Sequence, residues 1–332
     1  MNLLNERDRR IYREELELRL PARIFDAHVH VFDRDFFPPG FTFPPRTCYH
    51  KFGGAFPLPL WREAMKELLP KQEVWLNCFS APRREIDRDR MPEVKGPREF
   101  VMALVSPADP VEKVKQRIES AHAVGVKPYL NYAAEFYGKK SGDVEVFDML
   151  TTEQLAYLDE KALAVTLHIP RAGRFADPLN QRQMRELCER YPHIKFIFAH
   201  IGRAYFMRNI RESNLEEFVQ YPNAFFDTAM VNSAEILKYL CDRFPAERIL
   251  FGTDTPIALL RGKSVEINDQ YAYLMGENYA IGTSIIDTEG AVEFTFFFYE
   301  QLRGLLAGVP EGDLEKILFT NAHQLFTGIS AQ

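Results

Sequence analysis

The sequence predicts an α/β protein: a (β/α)8 TIM barrel with long loops after its first and eighth strands and extra terminal helices. Three observations lead there. Eight short runs rich in β-branched and aromatic residues recur along the 332 residues. Stretches with helical start and stop signals lie between most of them. No repeat, low-complexity tract or linker divides the chain. Such alternation builds parallel strands joined by crossover helices, and eight units close into a barrel in preference to a doubly wound open sheet. The whole chain, 1–332, is expected to be one domain, with the barrel over about 24–326 and a helical extension over 1–20.

The expected strands are 23–30 (RIFDAHVH), 73–79 (EVWLNCF), 100–105 (FVMALV), 125–130 (GVKPYL), 164–169 (AVTLHI), 195–200 (KFIFAH), 224–227 (AFFD) and 248–252 (RILFG). Pro128 interrupts the fourth, because proline donates nothing to a ladder. Asp109-Pro110 gives a helix after strand 3 both its cap and its first-turn proline, and Gly125 closes it. Thr152, the pair Asp177-Pro178, and Asn232 or Ser233 open three more helices. Helices over 291–306 and 311–326 are expected after strand 8.

Two segments break the rhythm and are expected to be irregular. One, 31–58, is dense in proline and phenylalanine and carries Arg46, Tyr49 and His50; the other runs from 256 to about 288. In a barrel both emerge at the C-terminal rim, where active sites are built, so each is a candidate lid or binding element. The first, with Phe32, Phe36, Phe37, Phe41, Phe43, Phe52 and Phe56, reads equally as a cover on the barrel flank or on a partner subunit.

Composition narrows the function. A chain 46% hydrophobic and 27% charged is not disordered as a whole. Lys+Arg 41 against Asp+Glu 47 leaves −6, which argues against nucleic-acid binding. Cys48, Cys78, Cys188 and Cys241 form no C-x-x-C pair, so neither a zinc knuckle nor a dithiol motif is present, and they read as buried thiols in a reducing compartment. The first twenty residues lack an apolar core for export, and no uncharged apolar run reaches ~18 residues. A cytoplasmic protein with no membrane partner is expected, and a homo-oligomer is compatible with the sequence. Gly262-Lys263-Ser264 resembles the tail of a phosphate loop, but Ile257 stands where its first glycine would be.

The chemistry gathers at strand ends. Strand 1 closes on Asp26-Ala27-His28-Val29-His30, and a period of two puts both histidines on one face, their Cα atoms roughly 6–7 Å apart. Strand 5 ends at His168 (TLHIPRAG), strand 6 at His200 (FAHIGRA), and Asp254 directly follows strand 8 (FGTDTP). Of 8 histidines, four fall at the ends of expected strands, where a barrel gathers them on one rim. A structural histidine has no reason to prefer that location, so a metal centre is expected. His122, His193 and His323 read as structural.

These segments resemble the amidohydrolase superfamily, and DAHVHVF, HIPRAG, FAHIG and FGTDTP are similar to its amidohydrolase-related branch. That branch includes metal-dependent decarboxylases like aminocarboxymuconate semialdehyde decarboxylase and also lactone hydrolases. The resemblance spans about 24–326 through four short motifs. It implies that His28, His30, His168 and Asp254 bind metal, and that His200 is a further ligand or polarises the substrate. Neutral imidazoles with one carboxylate suit a divalent ion, Zn²⁺ first and Mn²⁺ or Fe²⁺ as alternatives, one ion in preference to two.

The implied activity is hydrolysis of an amide, ester or lactone bond in a small molecule through a metal-bound hydroxide, with Asp254 as general base and His200 assisting. The alternatives are non-oxidative decarboxylation of a small aromatic or unsaturated acid, or a barrel that binds metal or ligand without turnover. Lys127 lies near strand 4, where binuclear members carry a lysine bridging two metals; it reads as such a bridge or as a rim lysine that pairs with substrate. For a substrate carboxylate, Arg171 is the first choice over Arg203, Arg83 and Arg84, because a guanidinium fork holds a carboxylate by two parallel bonds. His50 is a further candidate contact. Asn131, Tyr132, Glu135 and Asp227 also fall on the rim, without an assigned role.

Overall fold

The computed structural model describes residues 2–331. Eight strands pair in chain order, each parallel to the next: β1 (Arg23–His30), β2 (Glu73–Phe79), β3 (Glu99–Val105), β4 (Gly125–Pro128), β5 (Ala164–Leu167), β6 (Lys195–Phe198), β7 (Ala224–Asp227) and β8 (Ile249–Leu250). The seam between β8 and β1 is joined by backbone bonds. Ala27 N–H donates to Phe251 O (2.8 Å), Asp254 N–H to His28 O (2.8 Å) and His30 N–H to Thr255 O (2.8 Å). The sheet is thus a (β/α)8 TIM barrel. Its strands are buried almost throughout, as expected where helices cover one face of a parallel sheet and the barrel interior fills the other.

Most helices begin near their expected signals, but after β3 Asp109 does not cap Val111–Ala121: its side chain accepts from Ser106 N–H (2.8 Å), the helix ends at left-handed His122, and Gly125 already opens β4. Thr151 and Gln154 form a capping box on Thr152–Glu160, Asp177 caps Pro178–Arg190, and Ser233 is the residue that caps Ala234–Arg243. At the N-terminus Asn5 caps Glu6–Ile11, and Arg261 anchors that arm by donating to Leu3 O (2.9 Å) and to both Asp8 oxygens. No described helix is long and apolar enough to cross a membrane.

Several boundaries differ from expectation. Strand 4 stops at Pro128, and Leu130 already begins a helix, Leu130–Tyr137. Strands 5, 6 and 8 end before His168, His200 and Gly252, because the chain turns away from the sheet there. His200 (φ 57°) and Asp254 (φ 65°) are left-handed. The helix expected over 291–306 is instead Phe297–Gly308, because the preceding residues pair with Arg261: Gly262 N–H donates to Thr295 O (2.9 Å).

The segment after strand 8 is not irregular. It holds a second, three-stranded sheet of β9 (Gly262–Ile267), β10 (Gln270–Met275) and β11 (Ser284–Ile286). Asn268 (φ 51°) and Asp269 (φ 59°) make the two-residue turn between β9 and β10. Both central residues of such a turn need positive φ, which Asn and Asp tolerate. The phenylalanine-rich loop after β1 builds its own small core: Phe32, Phe36, Phe37, Phe43 and Phe56 are buried, with Phe32 and Phe56 bridged by backbone bonds of 3.0 Å. The two loops are tied together, since Lys51 Nζ donates to Glu277 (2.7 Å) and Leu259 O (2.9 Å), and Ala280 N–H donates to Arg46 O (2.7 Å).

Candidate metal centre

The β1 ladder shifts register between Asp26 and Val29, next to the two histidines that end the strand. His28 and His30 are both buried there. Each of three imidazoles is held by Nδ1. His28 Nδ1 bonds Asp227 Oδ2 (2.8 Å), His30 Nδ1 bonds Ser80 O (2.9 Å) and His200 Nδ1 bonds Ala229 O (3.0 Å). A carbonyl or an ionised carboxylate only accepts, so the proton lies on Nδ1 in all three rings and Nε2 keeps a free lone pair. Ring anchoring of this kind is how proteins aim imidazoles at a cation.

Where the lone pairs point is equally telling. His30 Nε2 lies 3.2 Å from Asp254 Oδ1 and His28 Nε2 lies 3.6 Å from it, and buried His28 Nε2 has no hydrogen-bond partner. Two acceptors facing a carboxylate oxygen repel one another unless a positive charge sits among them. His28, His30 and Asp254 bring their donor atoms within 4.8 Å of one another, the reach of one ion. His28, His200 and Asp227 form a second such triplet, but Asp227 is already committed to the protein. Its Oδ2 holds His28, and its Oδ1 accepts from the N–H groups of His200 (2.8 Å) and Ala229 (3.1 Å).

Charge states fit the same picture. Burial lowers His28 to about 4, with the Asp227 carboxylate opposing and Lys127 adding to the fall. Burial likewise lowers His200, and it takes His168 well below the usual range with help from the Arg203 charge. Burial acts to raise Asp254, but the His30, His28 and His200 rings around it outweigh that, so the carboxyl is held below its ordinary value. Near neutrality these are neutral imidazoles and an ionised carboxylate, the forms that ligate metal. The backbone is held in strained geometry to present them. His200, Ile201, Gly202 and Arg203 are consecutively left-handed, and a Cβ on Gly202 would meet the Phe175 ring at 2.9 Å. Beneath the centre Asp26, pushed up to about 7 by burial, ties β1 to the β8 turn by accepting from Thr253 N–H (2.8 Å) and Thr253 Oγ1 (2.6 Å).

The other expected residues divide. His200 stands beside the group, its ring centroid 4.9 Å from that of His28. His168 lies 5.2 Å from His200 and stacks on Tyr129 at 5.4 Å; its buried Nδ1 has no partner, and it belongs to neither triplet. Lys127 is fully buried, its Nζ unpartnered and set over the rings of Phe79 (4.9 Å) and Tyr129 (5.4 Å). Burial lowers it to about 8, against the opposing pull of Asp227 and Asp254.

Arg171 and His50 are not brought to the centre. Arg171 Nε donates to Asp177 Oδ2 (2.9 Å), the cap of Pro178–Arg190, and His50 Nε2 is taken up by Phe43 O (2.9 Å) and Pro44 O (3.0 Å). Sequence reasoning left one feature without a role, the hold of Asp227 on His28 and His200; its place at the end of a barrel strand was the available signal. Arg203, ranked behind Arg171 in the sequence, donates from Nη1 to Ile169 O (2.8 Å) and has no carboxylate partner among the described residues.

Residues 25–327 match the family model described as Amidohydrolase. No curated protein matches the chain in sequence. Among solved structures it is similar to 5-carboxyvanillate decarboxylase from Sphingomonas paucimobilis, at 12% identity and a TM-score of 0.55 over 92% of this chain and 99% of that one. It is also similar to 4-oxalomesaconate hydratase from Rhodopseudomonas palustris (14%, TM-score 0.54, 93% and 97%). A candidate 2-pyrone-4,6-dicarboxylic acid hydrolase from Pseudomonas putida is a third relative in fold (14%, TM-score 0.55, 93% and 99%). At these identities the likeness is one of fold.

Proposed function

The chain belongs to the amidohydrolase family, whose members are metal-dependent enzymes, hydrolases and carboxy-lyases alike, and we propose that it cleaves an amide, ester or lactone bond in a small carboxylate-bearing molecule. The observation that carries this reading is the set of three imidazoles locked through Nδ1, two of them facing Asp254 with unprotonated Nε2.

His28, His30 and Asp254 would hold one divalent cation, Zn²⁺ before Mn²⁺ or Fe²⁺, with His200 and His168 completing the set. When bound, the cation supplies Lewis-acid polarisation and acidifies water beside Asp254. Asp254, ionised at neutral pH, accepts the proton of the attacking water and returns it to the leaving group. His200 is better suited to ligate than to donate, because its Nδ1–H is committed to Ala229 O and Nε2 carries no proton. Lys127 has no acceptor of its own, and a substrate carboxylate or developing oxyanion would satisfy it.

The same unpaired ammonium favours a second reading, non-oxidative decarboxylation. There the bond between the carboxylate and its carbon breaks, CO₂ leaves, and the electron pair left on carbon takes a proton that Asp254 first accepts from water, leaving hydroxide and the carboxylate as it was.

The test is product analysis with zinc-loaded protein on lactones, amides and aromatic carboxylic acids. Ring-opened or cleaved acid without CO₂ supports hydrolysis, and CO₂ release supports the second reading. In either case Asp254→Asn is expected to lower kcat at least about 10³-fold while zinc remains bound through the histidines. Turnover that survives that substitution contradicts the proton-transfer role.

A further inference from the structure

The metal-holding side chains are covered. His28, His30 and His200 expose 2% of their surface or less, and Asp254 9%. Along the β1–β8 seam the cover is one short turn, Cys48–Phe52, from the loop after β1. Its Tyr49 ring packs at 5.2 Å on that of Phe32, two residues beyond His30. Its Lys51 donates from Nζ to Leu259 O (2.9 Å), five residues beyond Asp254. Cys48 and Tyr49 are buried beneath the turn. Burial raises both groups and the Asp254 charge adds to the rise, which marks them as neighbours of that carboxylate.

The turn is built as a unit between two points of backbone freedom. His50 Nε2 bonds Phe43 O (2.9 Å) and Pro44 O (3.0 Å), which braces the segment from within. Left-handed residues bound it, Arg46 (φ 64°) on one side and Gly53 and Gly54 (φ 67° and 80°) on the other. A Cβ on Gly53 would meet nothing within 4 Å among the described residues, so that glycine serves the backbone and not the packing. Positions of this kind absorb the dihedral change of a hinge. Two ties clamp the segment to the chain beyond β10. Lys51 Nζ meets the Glu277 oxygens at 2.7 and 3.0 Å, and Ala280 N–H donates to Arg46 O (2.7 Å). Glu277 also accepts from Arg261 N–H (2.8 Å), so the far side of the clamp is fixed.

We propose that residues 44–54 form a hinged flap over the metal centre, latched by the Lys51–Glu277 ion pair, and that its opening admits metal and substrate. Closed, the flap keeps bulk water from Asp254. Opening it breaks the latch, one backbone bond and the contacts of the turn, and leaves the barrel ladders intact, which is the pattern of a local opening unit. This rests on the reading that His28, His30 and Asp254 mark the reacting end.

The chain carries its own reporter, because Cys48 lies in the flap whereas Cys78 lies in β2 and Cys188 in the helix Pro178–Arg190, all three buried free thiols. Alkylation with iodoacetamide, followed by peptide mass analysis, times each thiol. Lys51→Met keeps the apolar stem and removes the latch. It is expected to speed alkylation of Cys48 at least about tenfold while Cys78 and Cys188 keep their native rates. Glu277→Gln, which loses the charge but keeps an oxygen for Arg261 N–H, should act in the same direction. A gate changes rates and not the equilibrium, so zinc uptake and zinc release to a chelating dye should quicken by one common factor with affinity unchanged. An unchanged Cys48 rate in both variants, an equal rise at all three thiols, or a loss of zinc affinity without faster uptake would overturn the flap; the last two would mark a merely structural ion pair. Faster Cys48 alkylation in protein that takes up no zinc would uphold the flap while contradicting the metal reading.

Discussion

Asp227 governs the centre without facing the ion it would help to hold. One of its oxygens fixes the His28 ring and the other fixes the backbone of His200, so one side chain orients groups from two strands. Burial acts to raise its carboxyl, but the His28 ring that donates to it and the His200 N–H outweigh that, and it stays ionised well below the usual range. Asp227→Ala is therefore expected to weaken zinc binding about 10- to 100-fold with Asp254 intact. Competition titration against a chelating dye measures this, and an unchanged affinity would contradict the orienting role. His28, His30, His200 and Asp254 stand out in the sequence because each lies at or shortly after the end of a strand within a recognisable short motif. Asp227 ends AFFD, which carries no such motif, so its position alone marked it. The sequence favours Arg171 over Arg203, Arg83 and Arg84 for a substrate carboxylate, but its spacing does not show that the Asp177 carboxylate takes the Arg171 guanidinium.

Strands and helices were legible where local signals agree with tertiary demand. The Asp177 and Ser233 caps start their helices as read, whereas the helix expected from residue 291 starts late because its first turn is spent pairing with Arg261. The β9–β10 hairpin was passed over, although Asn268-Asp269 is a turn pair of the favoured kind. The turn before Val111–Ala121 offers a pH test. Asp109 accepts from Arg117 Nη1 (2.6 Å) and Arg88 Nη2 (2.8 Å), with Asp109 and Arg117 both largely buried. Burial acts to raise Asp109, but the two arginines outweigh it and hold the carboxyl below its ordinary value. A carboxyl lowered by folding stabilises the protein above the unfolded pKa of about 4, and that contribution fades as pH falls through the folded value. Asp109→Asn is expected to cost about 3 kcal/mol in urea unfolding at pH 7, with Asp89 still partnering Arg117, and progressively less towards pH 3. An equal deficit at both pH values would contradict this account.

At the scale of the molecule, the barrel was legible because parallel strands with both faces covered must read as short apolar runs, and eight of them recur with helices between. Closure is what turns that pattern into a site. The backbone bond from Asp254 to His28 O across the β8–β1 seam places residues more than two hundred positions apart against one another. The additional sheet and the phenylalanine-rich loop, joined through Lys51 and Glu277, then surround that point. How they fold over the rim was not legible, since it depends on contacts between segments distant in sequence. The most direct test is crystallography of zinc-loaded protein with data collected on both sides of the zinc absorption edge. The account predicts one strong anomalous peak in coordinating reach of His28 Nε2, His30 Nε2 and Asp254. A peak elsewhere, or none at this position in protein shown by mass analysis to carry zinc, would contradict it.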